Sequence, residues 1–124
     1  MLAETPFELG RINYGRCNER PYRYAWGVAA SPGNWIDEIV KVDVADRSHI
    51  GWKEPAAFPG EPVFVAEPGA EAEDAGVVLS VVLDSERGTS YLLVLDAADL
   101  SEIARATVPH HIPFNFHGIF SSSV

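Results

Sequence analysis

At 124 residues, with 47% apolar and 22% charged side chains, the chain has room for one domain with a modest core and is too apolar to be disordered. Eighteen acidic against nine basic residues give a formal net charge of −9, which argues against nucleic acid as a partner because a phosphate backbone would be repelled. Cys17 is the single cysteine, which excludes an internal disulfide and a cysteine-based zinc site. No window approaches the roughly eighteen uninterrupted apolar residues of a membrane-spanning helix, and Met1 is not followed by the basic and then apolar stretch of a leader. A cytoplasmic setting is the expectation.

Strand signals dominate from the first third onward. "PYRYAWG", with Tyr22, Tyr24 and Trp26, reads either as a packed strand or as an aromatic binding platform. "EIVKVDV" (38–44) sets Ile39, Val40, Val42 and Val44 among polar residues, and after the turn "ADRS" a second strand-like run, "HIGWKEP", covers 49–55. "EPVFVAEP" is a brief apolar run fenced by Pro62 and Pro68, with a strand predicted over 61–66. "GVVLSVVLD" (76–84) is β-branched and continuous, which predicts burial on both faces. "SYLLVLDA" (90–97) follows across the turn at 85–88, and a last strand runs from Glu102 to Val108. Propensity alone would also allow a helix over 98–106, ended at once by Thr107, Val108 and Pro109. Short strands punctuated by nine prolines and ten glycines predict an antiparallel all-β chain.

A weak internal repeat points further. "TPFELGRI", "AFPGEPVFV" and "IPFNFHGIF" each carry a Phe-centred run with one ionisable residue at the start of a strand-like stretch: Glu8, Glu61 and His117. The spacings are 61 − 8 = 53 and 117 − 61 = 56, slightly above the about 40–50 residues of a four-stranded propeller blade. The first strand of a blade lines the central axis, so all three residues would face that axis. Imidazole is a good iron ligand, and its second ring N–H needs an acceptor, commonly a buried carboxylate. Two glutamates and a histidine at equivalent positions fit that chemistry. The other reading has Glu8 and Glu61 capping turns and His117 filling a core.

The segments "RINY", "RPYRYAWGV", "IVKVDV", "EPAAFPGEPVFV", "EPGAEAEDAGVVLSVVLD" and "SYLLVLDAADLSEIARATVPHHIPFNFHGIF" together resemble the C-terminal part of the carotenoid cleavage oxygenase family, from about Phe7 to Phe120 and in the same order. The resemblance implies that 1–124 are about two blades of one seven-bladed propeller domain holding a non-haem Fe(II) through four histidines, three of them hydrogen-bonded to glutamates. His117 in "PFNFHG" matches the last iron ligand, and Glu8 and Glu61 match two of the glutamates. His49, His110 and His111 match none. The other ligands would lie upstream of Met1, so this chain alone is expected to be inactive and to need the missing N-terminal blades for closure.

The activity so implied is dioxygenase cleavage of a conjugated C=C bond in a carotenoid, apocarotenoid or stilbene-like alkene, with O2 and an apolar polyene as partners. Membrane contact, if the protein is peripheral to one, would come through the missing parts. Phe114 and Phe116 would line the substrate passage or pack the final strand. A second reading is a non-catalytic propeller fragment or pseudoenzyme remnant acting as a structural or binding module.

Overall fold

Two antiparallel sheets arise from the strand-forming runs in the computed structural model, which describes residues 6–114 and 117–123. The first sheet contains β1 (Glu8–Arg11), β2 (Tyr24–Ala30), β3 (Ile36–Asp43) and β4 (Ser48–Trp52), in that spatial order. A one-turn helix, α1 (Tyr14–Cys17), interrupts the link from β1 to β2, and the Asn13 side chain caps it by accepting from the Arg16 N–H at 3.2 Å. The second sheet contains β5 (Ala57–Pro59), β6 (Val63–Ala66), β7 (Gly76–Asp84), β8 (Thr89–Asp96) and β9 (Glu102–Val108). Both β5 and β6 pair with β7, so together they form one interrupted inner strand. Each sheet is thus an up-and-down meander of four strand positions, the arrangement of a propeller blade.

Most predicted strands form within a residue or two of their expected bounds, and residues 76–84 and 102–108 form as predicted. The helix allowed over 98–106 does not form, because β9 pairs with β8 from Glu102 onward. The strand predicted over 61–66 is instead broken. Pro59 pairs with Val82 and Val63 with Leu79, so Gly60, Glu61 and Pro62 stand opposite only Val81 and Ser80. Burial of β7 on both faces is also corrected. Val78, Ser80 and Val82 are buried, whereas Val77, Leu79, Val81 and Leu83 are only half-buried.

The core lies between the sheets. Trp26 and Ile39 of the first meet Val78, Val82, Tyr91, Leu93 and Leu95 of the second. Trp26 is fully buried, stacks on Phe64 at 4.5 Å and donates its indole N–H to the Ala97 carbonyl at 3.0 Å. "PYRYAWG" is therefore a packed strand at Trp26, with Tyr22 exposed ahead of it. Lys41 pairs with Trp26 in the ladder and shares its inward face. The other face of the first sheet carries Ala25, Gly27 and Ala29 from β2 beside Val40 and Val42 from β3, and Gly27 is required there. A Cβ on Gly27 would sit 2.7 Å from the Glu8 carbonyl oxygen and 2.7 Å from the Phe7 ring. No helix among the described residues is long and apolar enough to cross a membrane.

Candidate metal-ligand site

The break between β5 and β6 frees Glu61 from the two-sided alternation of a regular strand. Gly60 stays tied to β7 through its N–H to the Val81 carbonyl at 2.8 Å, and its own carbonyl accepts from the Ser80 hydroxyl at 2.9 Å. The segment after β9 is anchored by buried Ser90, whose Oγ accepts from the Ile112 N–H at 2.8 Å and whose N–H donates to the His110 carbonyl at 3.1 Å. Beyond this anchor, His117 and Gly118 lie against Glu61.

The Glu61 side chain is only 5% exposed. Arg11 at the end of β1 donates Nε to Oε1 and Nη2 to Oε2, both at 3.0 Å, and Nη2 also donates to the Gly118 carbonyl at 2.9 Å. The Gly118 N–H donates to Oε2 at 3.0 Å. His117 Nδ1 lies 3.3 Å from both carboxylate oxygens. Burial pushes the Glu61 carboxyl up, but the Arg11, Gly118 and His117 hydrogen bonds outweigh it and hold the group below its ordinary range. Hydrogen bonding to Glu61 raises the Arg11 guanidinium in return. An ionised carboxylate can only accept, so Nδ1 is the donor to Glu61.

A carboxylate that accepts one ring N–H is the kind of support a metal-binding imidazole uses. The His117 side chain is 66% exposed on this chain. Glu61 is brought to His117; Glu8 is not. Glu8 is exposed at the start of β1 and lines a separate cavity of about 310 Å3, with Gly60, Trp35, Phe58 and Phe114 around it. Phe114 meets the Trp35 ring at 5.5 Å and the Phe58 ring at 5.9 Å, and so joins the two sheets; Phe116 lies outside the described residues. His49, His110 and His111 are exposed, and no group of three or more metal-binding side chains forms among the described residues. A cavity of about 180 Å3 opens beside the Glu61–His117 pair, lined by Val63, Leu79, Val81, Leu92 and Phe120. The exposed side of β7 faces this space. Arg11 was not singled out by the sequence; its only signal was its place three residues after Glu8 in the repeat.

Residues 1–122 match the family described as retinal pigment epithelial membrane protein. The chain is 41% identical over 119 residues to the mitochondrial carotenoid-cleaving dioxygenase of Mustela putorius furo, covering 94% of this chain and 22% of that protein. It is 44% identical over 123 residues to the chloroplastic carotenoid cleavage dioxygenase 8 homolog A of Oryza sativa subsp. japonica, again covering 94% of this chain and 22% of the relative. Among solved structures, the cobalt-substituted apocarotenoid oxygenase of Synechocystis superposes with a TM-score of 0.90 at 32% identity, over 97% of this chain and 26% of that one. The chain thus spans about a fifth to a quarter of the length of the proteins it matches.

Proposed function

The chain belongs to the carotenoid cleavage oxygenase family, and we propose that it supplies two blades and one metal ligand to a propeller dioxygenase that uses non-haem Fe(II) to cleave a conjugated C=C bond. The substrate class is a carotenoid, apocarotenoid or stilbene-like alkene, and residues 1–124 form part of one propeller domain. The observation that carries this reading is the Glu61–His117 contact, with Nδ1 3.3 Å from each carboxylate oxygen.

His117 would hold the metal through Nε2, while Glu61 keeps the proton on Nδ1 and raises the basicity of the ring. Glu8, at the equivalent place on the first inner strand, would serve a histidine supplied from outside this sequence. When bound, Fe(II) supplies the redox chemistry that lets O2 react with a carbon–carbon double bond. One O2 and one alkene give two carbonyl products, so both product oxygens come from the same molecule. The apolar walls beside His117, Val63, Leu79, Val81 and Leu92, would take hydrocarbon and exclude water.

The test uses the full-length protein that contains these blades. Iron content should be lost in His117→Ala, and cleavage under labelled O2 should give carbonyl products that both carry the label. Normal iron content in His117→Ala would overturn the ligand assignment. A wild-type protein that neither retains iron nor cleaves any such alkene would establish the non-catalytic module instead.

A further inference from the structure

We infer that Arg11 is a positioning residue for the metal ligand, a second support behind Glu61 contributed by the neighbouring blade; the inference rests on the reading of His117 given above. An ionised carboxylate offers about four acceptor directions. At Glu61 these are taken by Arg11 Nε, Arg11 Nη2, the Gly118 N–H and His117 Nδ1. The guanidinium therefore does two things that His117 needs. It occupies one acceptor direction on each carboxylate oxygen, leaving the other two to His117 Nδ1 and the Gly118 N–H. It also fixes the carboxylate plane, because a two-point fork resists rotation about the last side-chain bond.

The third Arg11 bond carries the inference furthest. Nη2 donates to the Gly118 carbonyl at 2.9 Å while the Gly118 N–H donates to Glu61 at 3.0 Å. The residue after the ligand is thus held on both its backbone groups, one by Arg11 and one by the carboxylate Arg11 holds. A single side chain controls both the acceptor of the Nδ1 proton and the backbone adjoining the imidazole. Arg11 is itself fixed, because it pairs in the ladder with Trp26, which is fully buried and bonded to the Ala97 carbonyl. The direction of the ligand is therefore set by contact between two blades, fifty residues apart in sequence on the Arg11–Glu61 side. Lysine would keep the charge but lose the fork.

The experiment compares wild type, Arg11→Met, Arg11→Lys, Glu61→Gln and the Arg11→Met/Glu61→Gln double variant in the full-length protein. Long-range 15N–1H spectra of metal-free protein report which ring nitrogen of His117 is protonated, and a Co(II) titration followed by visible absorption reports affinity. Wild type should show the Nδ1–H tautomer alone. Arg11→Met should show both tautomers and roughly ten-fold weaker cobalt binding, within the usual ten- to hundred-fold range for such supports. Arg11→Lys should rescue affinity only in part, and the double variant should bind as Glu61→Gln does. Arg11→Met with the wild-type tautomer and affinity, or effects of Arg11→Met and Glu61→Gln that multiply, would overturn the inference. If Arg11→Met does not fold, Arg11→Lys with wild-type tautomer and affinity overturns it equally. A wild type that binds no cobalt yet has an Arg11-dependent tautomer would sink the metal reading and leave the positioning role standing.

Discussion

Lys41 Nζ lies 2.6 Å from Asp74 Oδ2, and this contact joins the two blades. The same ammonium donates to the Ala98 carbonyl at 2.8 Å and sits 4.1 Å from the centre of the Tyr24 ring. Two loops of the second blade, β6–β7 and β8–β9, therefore converge on one lysine of β3. At 5% exposure its charge is tolerated because each direction around it holds an acceptor or an aromatic face.

Lys41→Met keeps the length of the side chain and removes the charge, leaving Asp74 and the Ala98 carbonyl without their donor. The expected loss is about 2 kcal/mol, below the full cost of breaking a buried pair because Asp74 can turn to water. Urea unfolding of the two proteins measures it, and an unchanged midpoint would show that the blades do not depend on this contact.

Gly27→Ala should destabilise by about 1–3 kcal/mol through overpacking, since the added methyl meets the Glu8 backbone oxygen and the Phe7 ring. Gly33→Ala is the control. Its Cβ meets nothing within 4 Å, and only its φ of +77° opposes the change, at about 1–2 kcal/mol. Thermal melts measure both changes, and a loss in Gly27→Ala no larger than that in Gly33→Ala would count against overpacking.

The Asp37 carboxyl accepts from the Ser31 N–H at 2.9 Å and the Asn34 amide at 2.9 Å, and pairs with Lys53 at 2.7 Å. Burial pushes this carboxyl up, but Lys53, Ser31 and Asn34 together bring it down from 3.8 to about 2. A carboxyl depressed on folding stabilises the native state fully above its unfolded value and loses that contribution as pH falls through the folded one. Wild type should therefore exceed Asp37→Asn in stability by a constant amount above about pH 4, and the gap should close towards pH 2. A gap that persists below pH 2 would assign the effect to packing rather than to charge.

The strands were legible where one physical signal acted alone. The β-branched run of β7 between two turns, and β9 after its turn, needed nothing beyond local preference. Legibility failed where a distant partner decided the outcome. Lys41 looked like the polar member of an alternating strand, and only Asp74, thirty-three residues on, explains why it turns inward. Arg11 was invisible as a site residue for the same reason. Glu61 and His117 were both singled out through the repeat and meet in the fold, but the broken inner strand that presents Glu61 was read as continuous. The α1 turn was missed although Asn13 carries its cap, because a four-residue helix leaves no periodicity to detect.

The extra residue in the second inner strand is separable from the ladder on either side of it. Pro59 opposite Val82 and Val63 opposite Leu79 are already the partners of an unbroken ladder with two residues between them. The first inner strand repeats the device: Glu8 faces Val28 and Arg11 faces Trp26, with Leu9 and Gly10 opposite Gly27 alone. Loss of one codon at either place would leave every flanking pair in register while returning the local side chains to the two faces of an ordinary strand. The count of residues across each inner strand, which overall superposition does not register, is therefore the feature to compare between this chain and its relatives.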